Sequence, residues 1–460
     1  MCGVFGISGG NNKEVGRLTY LGLYALQHRG EESAGIVVFD KKRVKHYEGM
    51  GLVNEVFDEK VIKSLSGEVA VGHVRYSTTG GSVAKNIQPF LVTHKKDYIA
   101  VAHNGNLTNA STLRDSMEEK GSIFQTSMDS EIITHLLTSC EQRDIEERVV
   151  SSLLKLEGAY SLVLMFNDVL VGARDPYGFK PLCLGKLGDT YILCSETCAL
   201  DLIQAEYVRD IERGEVVFIH KGKLQSIKPF PKKQEAKCIF EYIYFARPDS
   251  NIFGRNVYLV RKTLGKQLAD ECPVDCDFVM PIPDSGNYAA VGFAQESKLP
   301  LEVGMVRNHY VGRTFIQPSK FIRDFRVRVK LNPIKDVLKD KRVAIIEDSI
   351  VRGTTSRARV KTLRETGVKE IHMRVSCPPL RYPCFFGIDF PTKKELIAHN
   401  YSIEKIRDFI GVDSLQYLSL EGMLKAMPSE GKGFCVGCFT GEYPTPVPKR
   451  LSKNILERKR

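Results

Sequence analysis

From Met1 to about Ile227 the chain runs through short apolar, β-branched segments, SAGIVVF, GEVAVGHV, YIAVAHN, AYSLVLMF and DTYILC, separated by Gly, Asn and Asp turns. Two stretches break this rhythm with helical spacing: Glu14 to Gln27, and Asp129 to Cys140 with Ile132, Ile133, His135, Leu136 and Leu137. The pattern predicts an α+β unit with extensive antiparallel sheet. After the lysine-rich KPFPKKQEAK the texture changes. Strand-like CDFVMPIP, LEVGMV, RVAIIED and IHMRVS alternate with helical VYLVRKTLGKQLAD, YAAVGFAQES and SRARVKTLRE. That alternation predicts an α/β unit of parallel strands with crossover helices. Proline and charge cluster at residues 225 to 237, which divides the chain into 1–227 and 228–460. The tail PKRLSKNILERKR reads as a solvated terminal segment.

Composition narrows the class. The 460 residues are 43% hydrophobic and 26% charged, an ordinary globular balance. A net charge of +11 suits polyanions: nucleic acid, acidic lipid or small phosphorylated metabolites. No apolar run approaches the roughly 18 residues that span a bilayer, and MCGVFGISGG lacks the basic start and long apolar core of a signal peptide. The expected location is cytoplasmic. In a reducing compartment the 12 cysteines serve packing, metal binding or nucleophilic chemistry rather than disulfides.

The most specific local pattern is Arg342 to Gly367. A continuous apolar run, Val343 to Ile346, ends in two carboxylates, Glu347 and Asp348, and a loop follows at once. Ser349, Arg352, Gly353, Thr354, Thr355 and Ser356 supply hydroxyls, a permissive glycine and the free NH groups of a helix start, a nest for a phosphate monoester. The carboxylates are placed to accept from the diol of an attached ribose. A strand, a turn and an N-cap would read the same way locally. The whole string, however, resembles the phosphoribosylpyrophosphate (PRPP) loop of type I phosphoribosyltransferases, and DSIVRGTTS is similar to the amidotransferase members of that family. Pro281 to Ala290, PIPDSGNYAA, can hold pyrophosphate or its magnesium through Asp284, Ser285 and the Gly286 backbone, or be a plain turn. Arg307 to Asn332 carries Arg307, Arg313, Lys320, Arg323, Arg326, Arg328 and Lys330 against Asp324 alone. So basic a loop either binds polyanions loosely or closes over a leaving pyrophosphate. The resemblance implies the lid, with Arg313, Thr314 and Lys330 at pyrophosphate-contacting positions and Ser285, Glu347 and Asp348 at magnesium.

Met-Cys-Gly places a small residue second, so removal of Met1 is expected to leave Cys2 with a thiol and a free α-amine. Intrinsic pKa values of about 8 and 8.5 let that amine act as base to its own nucleophile. Downstream lie ALQHRGEESAG, GHVRYSTTG, HNGNLTN and MDSE. Arg75 can pair with an amino-acid carboxylate and Asp129 with its ammonium. Asn104 and Gly105 can donate to a tetrahedral oxyanion. In this order the segments resemble the N-terminal-nucleophile glutaminase of class II glutamine amidotransferases, which implies a four-layer sandwich over the first domain and glutamine as substrate.

Cys435 and Cys438 form FCVGCF, a spacing that lets two thiolates reach one metal centre. Cys238 and Cys384 occupy positions that resemble the cluster cysteines of Bacillus-type glutamine phosphoribosylpyrophosphate amidotransferases, which implies a 4Fe-4S cluster. Zinc on the same four thiolates is the chemical alternative. The other cysteines read as buried small residues. Across nearly the whole chain the family resemblance implies glutamine hydrolysis, ammonia transfer to PRPP, formation of 5-phosphoribosylamine as the first step of purine nucleotide synthesis, purine nucleotides as feedback inhibitors and a homo-oligomer, by resemblance a tetramer. A PRPP-sensing nucleic-acid regulator would also explain the charge, but no helix-turn-helix segment is evident, so neither nucleic acid nor membrane is an expected partner. Two departures stand out. Glu347 takes the place of a usual aspartate, and only Met1 precedes Cys2 where relatives often carry a longer propeptide.

Overall fold

The computed structural model describes residues 1–9, 13–142, 144–308, 331–390, 392–447 and 455–457. Its first part holds two antiparallel sheets. Seven strands run in the order Glu206–Asp210, Cys183–Leu187, Thr190–Cys194, Gly3–Ser8, Val69–Arg75, Ser33–Asp40 and Arg43–Met50. Six run Lys223–Ile227, Val216–His220, Val169–Arg174, Gly158–Phe166, Asp97–Leu107 and Phe90–His94. Alternation along each strand decides which layer a side chain joins. Phe5 and Ile7 pack outward with Leu23, Leu26 and Leu200 on the helix side, whereas Val4 turns inward to Val163, Leu170 and Leu193 between the sheets. In the second sheet Val101, Leu162 and Leu164 meet Ile132, Leu136 and Val149 on the opposite outer side. Helix, sheet, sheet and helix therefore stack as the expected four-layer sandwich. The sheets approach closely at Gly6, where a Cβ would lie 2.4 Å from Val163 Cγ1.

The second part is the expected parallel α/β unit. Strands Phe278–Pro281, Arg342–Glu347, Glu370–Val375 and Ser414–Tyr417 form one sheet, all neighbours parallel, with helices Val257–Glu271, Asn287–Ser297, Thr354–Arg364 and Ile403–Ile410. Pro281 and Glu347 close adjacent strands, so the loops after them open at the same carboxyl edge, where such sheets bind ligands. One expectation fails in detail. LEVGMV adds only a bridge from Leu301 to Val279, and Met305–Arg307 pairs antiparallel with Leu331–Pro333 outside the sheet. Val303 and Val306 are exposed, so there is no layer there to bury a further parallel strand. A short parallel pair, Lys237–Cys238 with Phe434–Cys435, ties the start of this part to its far end. No helix of the described residues is long and apolar enough to cross a membrane.

Helices Val257–Glu271 and Asn287–Ser297 pack backbone to backbone. A Cβ on Gly265 would lie 1.9 Å from the Ala289 carbonyl oxygen, and one on Gly292 1.9 Å from that of Lys262. Neither carbonyl can withdraw without shifting its helix. Gly265→Ala is expected to cost about 1 to 3 kcal/mol, read as a lowered unfolding midpoint of the second domain in calorimetry.

Candidate functional site

Strand register assembles the first centre. Gly3 pairs Val74, and Ser33 pairs Arg75, so the residue before Gly3 stands beside Arg75 and Tyr76. The Cys2 thiol donates to the Tyr76 carbonyl at 3.4 Å. Burial pushes that thiol up, with the nearby α-amine and Arg75 opposing. Met1 is fully buried. Its side chain belongs to the core of the second part, its sulfur lies 2.8 Å from Lys180 Nζ, and burial pushes its amine down to about 4.

Facing this strand is Asp97–Leu107. The His73 ring lies 3.2 Å from the His103 carbonyl, and the Thr78 hydroxyl donates to the Gly105 carbonyl at 3.2 Å. Asn104 is fully buried, yet among the described residues neither its Oδ1 nor its Nδ2 has a partner. An unpaired buried amide costs about 1 to 3 kcal/mol, so this position calls for a hydrogen-bonding partner. Gly105 admits no side chain, since a Cβ would lie 2.0 Å from the Ala159 carbonyl oxygen. Arg75, buried, donates to the carbonyls of Gly81 at 3.1 Å, Gly80 at 3.2 Å and Thr79 at 3.4 Å, and lies 3.6 Å from Glu32. Asp129 accepts from Leu107 NH at 2.9 Å and lies 3.7 Å from His103. Burial would raise its carboxyl, but His103 and that NH outweigh it and hold the group below its ordinary range. Cys2, Arg75, Asn104, Gly105 and Asp129 thus gather around the facing ends of two strands. Glu32, beside Arg75 and Ser77, is a further member; it lies in ALQHRGEESAG, where the pattern assigns it no role.

The second centre lies at the end of Arg342–Glu347. Glu347 and Asp348 are both buried. Glu347 accepts from Arg359 Nη1 at 2.7 Å and from Ser285 Oγ at 3.4 Å. Burial pushes Glu347 up to about 8, against the pull of Arg359 and with Asp348 adding to the rise. The Ser349 hydroxyl donates to Asp348. Gly353 takes φ +73°, a conformation natural to glycine, and launches helix Thr354–Arg364 with no side-chain cap, so the first-turn NH groups of Thr354, Thr355 and Ser356 remain available to an anion. Arg352 points instead to Glu395 at 3.3 Å, and Arg307 pairs with Asp284. Arg313, Thr314 and Lys330 lie outside the described residues. Arg359 was not foreseen. Its place one and a half turns into the helix is the signal that would have found it.

The four cysteines converge at a third place. Cys238 and Cys435 are register partners on adjacent strands, and Cys384 Sγ accepts from Phe386 NH at 3.4 Å. Burial first, then the charges of Cys384, Cys435 and Cys238, push Cys438 up, and Cys435 rises to about 12. Thiols so placed stay neutral or give their protons up to a metal centre. Among the described residues no three His, Cys, Asp or Glu side chains close tightly enough to hold one ion. Four thiols are a donor set that either zinc or an iron–sulfur cluster accepts.

Residues 73–202 match the glutamine amidotransferase domain family. The chain is 50% identical over 464 residues to the amidophosphoribosyltransferase of Methanocaldococcus jannaschii, covering 97% of this chain and 98% of that one. It is 50% identical over 445 residues to the chloroplastic amidophosphoribosyltransferase 1 of Arabidopsis thaliana, covering 96% and 78%. The solved glutamine PRPP amidotransferase of B. subtilis, complexed with ADP and GMP, superposes with a TM-score of 0.93 at 44% identity, covering 99% of this chain and all of that one. With a buried thiol and an unpaired buried amide in the first part, a carboxylate pair before a loop that opens a helix in the second, and relatives at this identity along both, the chain belongs to the amidophosphoribosyltransferase family.

Proposed function

We propose that the chain hydrolyses glutamine at Cys2 and delivers the ammonia to PRPP at the Glu347–Ser356 loop, forming 5-phosphoribosylamine, glutamate and pyrophosphate. The observation that carries this reading is Asn104: a fully buried side-chain amide without partners among the described residues, on a strand next to Thr78 and the Tyr76 carbonyl that accepts from the thiol. In a chain that begins at Cys2, the α-amine takes the thiol proton as Sγ attacks the amide carbon. Asn104 Nδ2 and the Gly105 NH hold the oxyanion. Arg75 exchanges its loop carbonyls for the substrate carboxylate, and Asp129 receives the ammonium. As the C–N bond breaks, the proton passes from the amine to the departing nitrogen, and water then splits the thioester to glutamate. Ammonia attacks C1 of PRPP while Asp348 and Glu347 hold the ribose diol and the NH groups of Thr354 to Ser356 hold its 5-phosphate.

Ser285, Glu347 and Asp348 would hold magnesium, which when bound offsets the charge gathering on the pyrophosphate. Cys238, Cys384, Cys435 and Cys438 would hold a 4Fe-4S cluster in a structural role, since the reaction moves no electrons and the residues pin residue 238 to residue 435. Purine nucleotides are the regulators this reading implies, supported by the B. subtilis relative's complex with ADP and GMP.

Cys2→Ala should abolish glutamine-dependent synthesis and leave synthesis from high ammonia largely intact, measured as pyrophosphate release with each nitrogen source. Equal loss of both would refute two separate centres. Asp348→Asn should lower PRPP-dependent synthesis about 30- to 900-fold, equivalent to about 2 to 4 kcal/mol of transition-state stabilisation, while basal glutamine hydrolysis survives. Anaerobically purified protein should contain close to four irons per chain (about 4, as a cubane requires) and lose colour and C-terminal protease resistance together in air. Stoichiometric zinc in a colourless protein would replace the cluster.

A further inference from the structure

Behind the nucleophile lies a buried charge network that crosses between the domains. Arg29, the last residue of the short turn Gln27–Arg29, is fully buried. Its Nε donates to the Cys2 carbonyl at 2.9 Å. Its Nη2 and Nη1 donate to the two oxygens of Glu241 at 2.8 and 3.0 Å, and Nη1 also reaches Glu196. Glu196 accepts in addition from the Arg247 NH at 2.9 Å, the Ser250 hydroxyl at 2.7 Å and the His28 ring at 2.8 Å. Arg29 and Glu196 belong to the first domain. Glu241, Arg247 and Ser250 belong to the segment that opens the second.

A buried ion pair is by itself weak evidence of anything beyond cohesion, because desolvation consumes much of its attraction. Two details separate this one from simple glue. The guanidinium is held by a fork of two carboxylate oxygens, which fixes its plane, and its remaining arm ends on the carbonyl of the reacting residue. Moreover, a chain that starts at Cys2 has no upstream residue to hold its first residue. The strand begins only at Gly3, so the Cys2 carbonyl is the one backbone acceptor through which that residue can be oriented from behind.

We propose that Glu241, acting through Arg29, is a positioning residue for glutamine hydrolysis, so that the nucleophile of the first domain is aligned by a carboxylate of the second. Glu241 sits three residues after Cys238, in the irregular helical turn Glu241–Phe245, so displacement of that segment is transmitted to the thiol without contact with glutamine. The proposal rests on the reading of Cys2 as nucleophile.

The test uses full-length Glu241→Gln and Glu241→Asp. The first keeps the shape and removes the charge. The second keeps the buried charge balance, which protects folding, and withdraws the fork by one methylene. Ammonia-dependent synthesis reports on the fold and the second centre, and should stay within about twofold of wild type in Glu241→Asp. Glutamine-dependent kcat should fall about 10- to 100-fold in both, the penalty of misplacing a reacting group by about an ångström, with KM for glutamine nearly unchanged. Inactivation by a diazoketone analogue of glutamine, which alkylates Cys2, should slow in parallel. Wild-type glutamine kcat and alkylation rate in Glu241→Asp would overturn the proposal, as would equal loss with both nitrogen sources in that variant. Failure of the underlying reading looks different: wild-type protein would then show no glutamine-dependent activity, or Cys2→Ala would retain it.

Discussion

The antiparallel pairing of Gly3–Ser8 with Val69–Arg75, near the middle of the seven-stranded sheet, is the constraint from which the first centre follows. A slip of one residue would turn Phe5 and Ile7 into the layer between the sheets and bring Gly6, which must face Val163 at close range, to the helix side. The packing of both layers thus enforces one register, and that register alone sets Cys2 beside Arg75 and Tyr76. Chemistry at the strand end is positioned by apolar side chains several residues away. The same sheet carries Ser33 against Arg75, which brings Glu32 within reach of the guanidinium.

At the second centre the extra methylene of Glu347 has a structural use. One of its oxygens reaches Arg359 on the following helix while the other stays with Ser285 across the adjacent loop. The carboxylate therefore bridges the two loops that follow neighbouring strands. Burial works against its ionisation and Arg359 works for it. In such a balance any cation or hydrogen-bond donor brought against the carboxylate would shift its protonation.

Much of this architecture was legible in the chain. Short β-branched runs separated by Gly, Asn and Asp turns marked the antiparallel half, and the continuous run Val343 to Ile346 marked a strand covered on both faces. Residues contiguous with a strand end, Glu347 to Ser356, could be read together because the chain itself places them together. LEVGMV misled because a short apolar run says nothing about whether a layer exists to cover it. Arg29 lies in ALQHRGEESAG with no role legible there, and Glu196 and Glu241 left no trace, since each looks like a surface charge until strands and helices separated by 167 and 212 positions close over it. Arg75 reads as a partner for a ligand carboxylate, but the pattern could not show that three carbonyls of its own loop accept from it. The cysteine quartet needed family resemblance, because a parallel pair joining residues 238 and 435 has no local signature.

The pairing of Lys237–Cys238 with Phe434–Cys435 also imposes an order in time. Lys237–Cys238 leaves the ribosome about two hundred residues before its partner strand Phe434–Cys435. At about 5 to 20 residues per second that delay is roughly 10 to 40 s. Throughout it, Lys237–Cys238 has no partner strand to pair with, so the link between the start of the second part and its far end can form only when the chain is nearly finished.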